Sequence, residues 1–271
     1  DKAACDVDWN RGEYIGNGQY LFTYHIYVES DDNSDWVYSE GAFVFNDTSQ
    51  RLSQIKHVTD RYLERYFVSP DGTTLAGLSW YPIDARDGLK ISIYKDGVVT
   101  QIIDLSGQDV EYIQWTGDGS GFLVQSRDQE QGNKQKQFFH YIGLDMTRVL
   151  LLEKSYQETV LLDSTKDGTI YYLYQTEDDQ AKGVATIYKL DTNNNTQVIT
   201  SIKSPLESRP FSSMRINPTG EIFEFIVGSG RVFYDTRSMK MHVYPEIMGG
   251  DWIGYTWGYY RSVSYGNVDE T

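Results

Sequence analysis

One cysteine, Cys5, occurs in 271 residues, so no internal disulfide can hold this chain together and the redox compartment is left open. Positive charge is also scarce: 24 Lys and Arg stand against 39 Asp and Glu, a net charge of −15. Nucleic acid and anionic membrane surfaces are held by clustered Lys and Arg, and no run of them exceeds two here. Both are excluded as partners. Long apolar runs are missing as well. The longest, Val149–Leu152, falls far short of the roughly 20 residues that span a bilayer, so no direct membrane insertion is expected of this segment. The start shows no basic region followed by an apolar one, from which we expect that any signal or anchor was removed or never present.

Catalytic motifs are absent too. No Gly-x-Ser-x-Gly elbow is found, which argues against a hydrolase nucleophile within the chain. Four histidines, His25, His57, His140 and His242, are scattered without Cys or His partners at ligand spacing, so no metal site is expected. Asp31-Asp32-Asn33-Ser34-Asp35 begins like a calcium loop, but Trp36 replaces the glycine at the sixth position and Ala42 the glutamate at the twelfth. A polar hairpin tip is the plainer reading. No glycine-rich phosphate cradle leads into a helix, and no cofactor is expected.

What the chain does have is 22 Tyr, 24 Gly and a repeat. A short turn recurs between extended segments: Tyr14–Gly18, Val68–Gly72, Trp115–Gly119, Ser164–Gly168 and Ile216–Gly220. Its closing glycines, Gly18, Gly72, Gly119, Gly168 and Gly220, lie 54, 47, 49 and 52 residues apart. A steady period of about 50 suits a four-stranded propeller blade. Asp71, Asp118 and Asp167 precede their glycines, and Asp-Gly tolerates the positive φ of tight turns. The flanks alternate in period two, as in Leu75, Gly77, Ser79 against Ala76, Leu78, Trp80. The second repeat reads as strands over 61–68, 73–80, 90–95 and 98–105. The third reads as 111–115, 121–126, 137–143 and 147–153. Polar insertions interrupt the first blade at 29–35 and the third at 127–136.

The expected fold is therefore all-β, a single propeller domain over 1–271 built of four-stranded antiparallel blades. Five turns favour five blades, with 251–264 as a closing strand that completes the first. Six follows if that tail opens another blade.

The segments Phe67–Gly72 and Gln114–Gly119 resemble the WD40-like repeat of TolB-type propellers, an apolar or aromatic residue followed by Ser-Pro-Asp-Gly. Only the second repeat carries all four motif residues; the fifth has Asn217 and Thr219 in place of Ser and Asp. Such residues build blades, so the resemblance informs fold more than function. It implies an extracytoplasmic (periplasmic or secreted) protein-binding, ligand-binding or sensor module, more a non-enzyme than an enzyme, within a larger membrane-linked protein. Ala3-Ala4-Cys5 is similar to a lipoprotein cleavage site, but Lys2 stands where an apolar residue belongs, and a free thiol is the plainer reading.

Two rivals stay open. One is a carbohydrate-active enzyme using channel carboxylates, drawn from Asp6, Asp8, Glu64, Glu111, Glu158 and Asp163. The other is the propeller portion of a serine peptidase. For binding, the candidates are Trp80 and Tyr81, which leave an inner strand, and the aromatic cluster Trp252, Trp257, Tyr259 and Tyr260. Such rings stack on glycans or grip a protein partner. Trp115 holds the apolar position before its turn and is expected in the core. We predict that the protein does not hold duplex DNA at about 150 mM salt; sub-micromolar affinity by fluorescence anisotropy would contradict this.

Overall fold

Period-two alternation broken by glycine turns becomes a succession of antiparallel meanders in the computed structural model. It describes residues 5–9, 13–16, 19–29, 36–54, 63–79, 89–95, 98–105, 107–128, 135–191, 195–204, 211–228, 230–244 and 262–264. The chain divides into two units, one comprising 1–109 with 259–263, the other 110–258 with 264–271.

The first unit holds two sheets. The strands β1 (Cys5–Trp9), β2 (Glu13–Gly16), β3 (Gln19–Glu29), β4 (Trp36–Asn46) and β5 (Arg51–Gln54) form the first, ordered β1-β3-β4-β5 with β2 paired to β3. The second is β6 (Leu63–Val68), β7 (Leu75–Ser79), β8 (Lys90–Lys95) and β9 (Val98–Asp104), paired in sequence order. Leu21, Leu75 and Tyr94 form a buried cluster with Val44 and Val99 against it, and so join the two sheets.

The second unit holds three sheets, each ordered as its strands occur along the chain. The third sheet is β10 (Asp109–Trp115), β11 (Gly121–Arg127), β12 (Lys136–Gly143) and β13 (Arg148–Ser155). The fourth is β14 (Thr159–Ser164), β15 (Ile170–Gln175), β16 (Val184–Leu190) and β17 (Thr196–Lys203), with the helix α1 (Glu177–Lys182) between β15 and β16. The fifth is β18 (Phe211–Ile216), β19 (Ile222–Val227), β20 (Gly230–Asp235) and β21 (Lys240–Tyr244). Of the tail expected to complete the first blade, only β22 (Ser262–Ser264) is described.

Both faces of the fourth sheet are apolar, and each is buried against a neighbour. Val160, Leu162, Tyr172 and Leu190 pack on Leu123, Phe139 and Leu151 of the third sheet. Leu173, Ala185, Ile187 and Ile202 pack on Met214, Ile216, Phe223 and Phe225 of the fifth. Each such large side chain contributes on the order of 2 kcal/mol by the area it removes from water. Trp115 is fully buried, its ring centroid 4.1 Å from that of Phe122.

Polar groups pass between the inner strands as well. Gln114 Nε2 donates to the Leu162 carbonyl at 2.8 Å, and Ile216 N–H donates to Asp163 Oδ2 at 2.7 Å. Gln114 and Asp163 each stand five residues before a turn glycine, so the same repeat position clasps the next sheet twice. Both are almost wholly buried. A buried polar group left without a partner would cost about 1–3 kcal/mol, so these bonds fix which sheet follows which.

The turns themselves share one construction. Gly72, Gly119, Gly168 and Gly220 have φ of 71°, 72°, 80° and 78°. Each donates its N–H three residues back, to Ser69, Thr116, Thr165 and Asn217, at 2.8 to 3.0 Å. The side chain at that earlier position ties the turn again. Ser69 Oγ accepts from Thr74 N–H at 2.9 Å, and Asn217 Oδ1 from Ile222 N–H at 3.0 Å. Gly18 lies outside the described residues.

Asp71 and Asp167 accept from the hydroxyls of Ser69 and Thr165 and from the N–H groups of Thr73 and Thr169. Partial burial pushes the Asp71 carboxyl up, but the bonds from Ser69 and Thr73 outweigh it and hold the group below the usual 3.8. The Thr165 hydroxyl and then Thr169 do the same for Asp167. Asp118 accepts from Ser120 N–H at 3.0 Å and from its hydroxyl at 2.8 Å.

The outer strands carry a further repeated device. Register shifts leave one extra residue in β9 (Thr100), β13 (Leu151) and β17 (Ile199), whereas β20 and β21 pair without a shift.

Gly72→Val forces a β-branched residue into a left-handed conformation and should cost on the order of 1–3 kcal/mol. Gly117→Ala should cost a similar amount by overpacking, since its Cβ would sit 2.4 Å from the carbonyl oxygens of Ser164 and Thr165. Urea melts read both; unchanged midpoints would refute this account of the turn.

A carboxyl lowered on folding adds stability that is fully present above its unfolded value and is lost as pH falls through the folded one. The Asp71→Asn, Asp167→Asn double variant should therefore lose less stability than the wild type between about pH 5 and about pH 3. Parallel losses would remove these turns from the acid response.

Candidate functional site

The two ends of each sheet differ. In the second unit one end carries the glycine turns and the short outer hairpins at 144–147, 191–195 and 236–239. The opposite end carries the 128–135 connection between β11 and β12, α1, and the connections at 156–158 and 204–210. Loops at one end of a rigid scaffold are where binding residues usually sit, because they change without disturbing the core.

Helix α1 is short and marked by its caps rather than by an apolar stripe. The Thr176 hydroxyl accepts from Asp179 N–H at 3.1 Å, the Asp179 carboxylate returns a bond to Thr176, and Gly183 closes the helix at φ 65°. Gln180 Nε2 donates to the Gln157 carbonyl at 2.9 Å, tethering α1 to the connection between the third and fourth sheets.

Beneath these connections lies a continuous polar network. Glu111, on β10, receives Arg127 Nη1 at 3.3 Å, the Tyr156 hydroxyl at 3.1 Å and Gln125 Nε2 at 3.1 Å. The Arg127 guanidinium also sits 5.8 Å from the Tyr156 ring centroid. Gln125 continues to Gln137 at 3.2 Å, and Gln137 Nε2 donates to the carbonyls of Ser155 and Glu158 at 2.8 and 2.6 Å. Glu158 accepts from Ser155 N–H at 3.0 Å and from the Tyr174 hydroxyl. Burial, and then the Glu158 carboxylate, push the Tyr174 phenol well above its usual range. Lys154 Nζ lies 4.4 Å from the Tyr174 ring centroid. Tyr156 is 40% exposed, so this network meets solvent through an aromatic ring with an arginine over its face.

The candidate channel acids fall into two groups. Glu111 and Glu158 belong to the network, each with its oxygens engaged. Asp163 is not a channel acid but a buried clasp, accepting from Ser164 N–H at 2.8 Å and from Ile216 N–H. Asp6 and Asp8 lie in β1 opposite Tyr27 and His25, and Glu64 lies in β6. Trp80, Tyr81, Trp252, Trp257, Tyr259 and Tyr260 lie outside the described residues, as do 31–35 and His57. His140 is half-buried with Nδ1 unpartnered, and burial followed by the Arg148 charge lowers its pKa. Among the described residues no three His, Cys, Asp or Glu converge as a metal site, and no helix is long and apolar enough to cross a membrane.

Arg127, Tyr156 and Tyr174 went unread in the sequence. Arg127 is the first residue of the polar insertion read at 127–136, which is the one signal that could have drawn attention to it.

No family model matches the chain, and no curated protein matches it. Solved structures do. One from a study of prolyl endopeptidases aligns at a TM-score of 0.56 with 12% identity, over 89% of this chain and 36% of that one. The dipeptidyl peptidase 4 of Porphyromonas gingivalis aligns at 0.53 with 12% identity, over 86% and 36%. A puromycin hydrolase aligns at 0.52 with 14% identity, over 87% and 37%. The chain thus spans little more than a third of the length of each. At such identities the likeness concerns fold alone, and the fold is a β-propeller of antiparallel sheets, most of them four-stranded.

Proposed function

We propose that the chain is a non-catalytic, extracytoplasmic propeller module that binds a polypeptide at the long-loop end of its third and fourth sheets. The observation that carries this reading is the Glu111–Arg127–Tyr156 network. It holds an exposed ring and a guanidinium in fixed positions, and its carboxylates are spent on doing so. Preorganised aromatic and arginine side chains lose little conformational freedom on binding, which suits them to protein contacts. The resemblance of the Ser-Pro-Asp-Gly turn to TolB-type propellers supports a location outside the cytoplasm. Of the candidate acids whose side chains are described, Glu111, Glu158 and Asp163 are all engaged, which counts against their service in a glycosidase, where two carboxyls must be free to act on substrate.

A second reading, the propeller portion of a peptidase, is favoured by the three solved structures and by the third or so of each that this chain spans. On that reading the catalytic residues belong to polypeptide outside this segment.

Panning a displayed random-peptide library on the chain tests the first reading, with a Tyr156→Ala, Arg127→Ala double variant as counter-target. Peptides should be enriched on the wild type and lost on the variant by at least about tenfold, the equivalent of 1.4 kcal/mol. Enrichment that survives in the variant places binding elsewhere. Turnover of a glycan or peptide by the isolated chain would overturn the non-catalytic reading.

A further inference from the structure

Two cations share one face of the third sheet at its long-loop end. Arg127 is opposite Gln137 in register, and Gln137 is opposite Lys154. Opposed residues of antiparallel strands lie on the same face, so Arg127 and Lys154 stand two strands apart, roughly 10 Å between Cα atoms. The face is the one packed on the fourth sheet, because Phe139 and Tyr141, in step with Gln137, belong to that core.

The two cations differ in what balances them. Arg127 has Glu111 at 3.3 Å. Lys154 makes no hydrogen bond or ion pair with any described residue. Glu158 does not serve it, one oxygen taking the Tyr174 hydroxyl and the other Ser155 N–H. What holds the Lys154 ammonium is the face of the Tyr174 ring, 4.4 Å from its centroid. That phenol donates to a carboxylate, which polarises the ring and favours a cation on it.

A ring face leaves the three N–H donors of an ammonium without an oxygen acceptor, and water supplies it instead. Lys154 is half-buried and two residues from Tyr156. A polypeptide laid on Tyr156 and Arg127 therefore strips part of that water. Covering an ammonium without a partner is strongly unfavourable, so the covering chain must bring an anion.

We propose that Lys154 binds the C-terminal carboxylate of this polypeptide. The inference rests on the binding role proposed above and adds which part of the partner is recognised. Two points select a chain end over an acidic run. Lys154 is set between two sheets, where a chain end enters without having to leave again. A net charge of −15 also repels a partner that carries many acids.

The whole chain, labelled with carbon-13 at lysine Cε, tests this by NMR. The Lys154 signal is the one missing from the spectra of both Lys154→Met and Lys154→Arg. The probes, titrated at low salt, are acetyl-Ala-Ala with a free carboxylate, its amide, and acetyl-Ala-Glu-Ala amide. The free acid should shift the Lys154 signal to saturation, and both amides should act at least about tenfold more weakly. A signal unmoved by the acid, or moved equally by its amide, would overturn the proposal. Equal response to the glutamate peptide would overturn the choice of a chain end.

The two readings fail separately. If panning enriches no peptide while Lys154 still responds to the acid, the polypeptide role falls and the carboxylate site stands. If peptides are enriched through Tyr156 and Arg127 while Lys154 stays unmoved, the carboxylate assignment alone falls.

Discussion

A sheet four strands wide cannot be stable alone when both its faces are apolar, and the fourth sheet is in that position. Leu162 and Tyr172 point one way, Leu173 and Ile187 the other, and each set needs a neighbouring sheet to leave water. Burial is non-directional, however, and by itself would let neighbours slide along one another. The directional part comes from Gln114 and Asp163. One is an amide that donates, the other a carboxylate that accepts, and the choice matches what the next inner strand presents, a carbonyl at Leu162 and an N–H at Ile216. Apolar area brings the sheets together; two hydrogen bonds set their register.

That arrangement separates the work of the two sheet ends. At the glycine end almost every polar group is spent within its own turn, as Asp71, Asp118 and Asp167 show, which leaves little chemistry to offer a partner. At the opposite end the strands open into longer connections, and the network of Glu111, Arg127 and Tyr156 spans residues far apart in the chain.

Much of the fold was legible because a turn that needs positive φ leaves its glycine in the sequence. Gly72, Gly119, Gly168 and Gly220 all adopt that conformation, and the strands of the second and third sheets fall within a few residues of those read from alternation. The helix α1 was not legible from periodicity: six residues with none buried carry no apolar rhythm, and only Thr176, Asp179 and Gly183 marked its ends. Asp163 was misread because a buried polar residue inside a strand looks the same, in one dimension, as a residue on a wet face. The site was less visible still. Arg127, Tyr156 and Glu111 meet across intervals of 16 to 45 residues, and nothing local in the sequence records that meeting.

The bulges on the outer strands bear on how the protein behaves at high concentration. An edge strand offers unpaired backbone groups to any similar edge, and an extra residue at Thr100, Leu151 or Ile199 bends that edge out of the straight geometry another strand could zip onto. The fifth sheet has no such interruption: β21 pairs in regular register with β20, Met239 just before it is 77% exposed, and Val243 within it is 38% exposed. Of the outer strands in the second unit, β21 is therefore the one best shaped to template fibrous or edge-to-edge association, and the place where a single added charge would most improve solubility in storage.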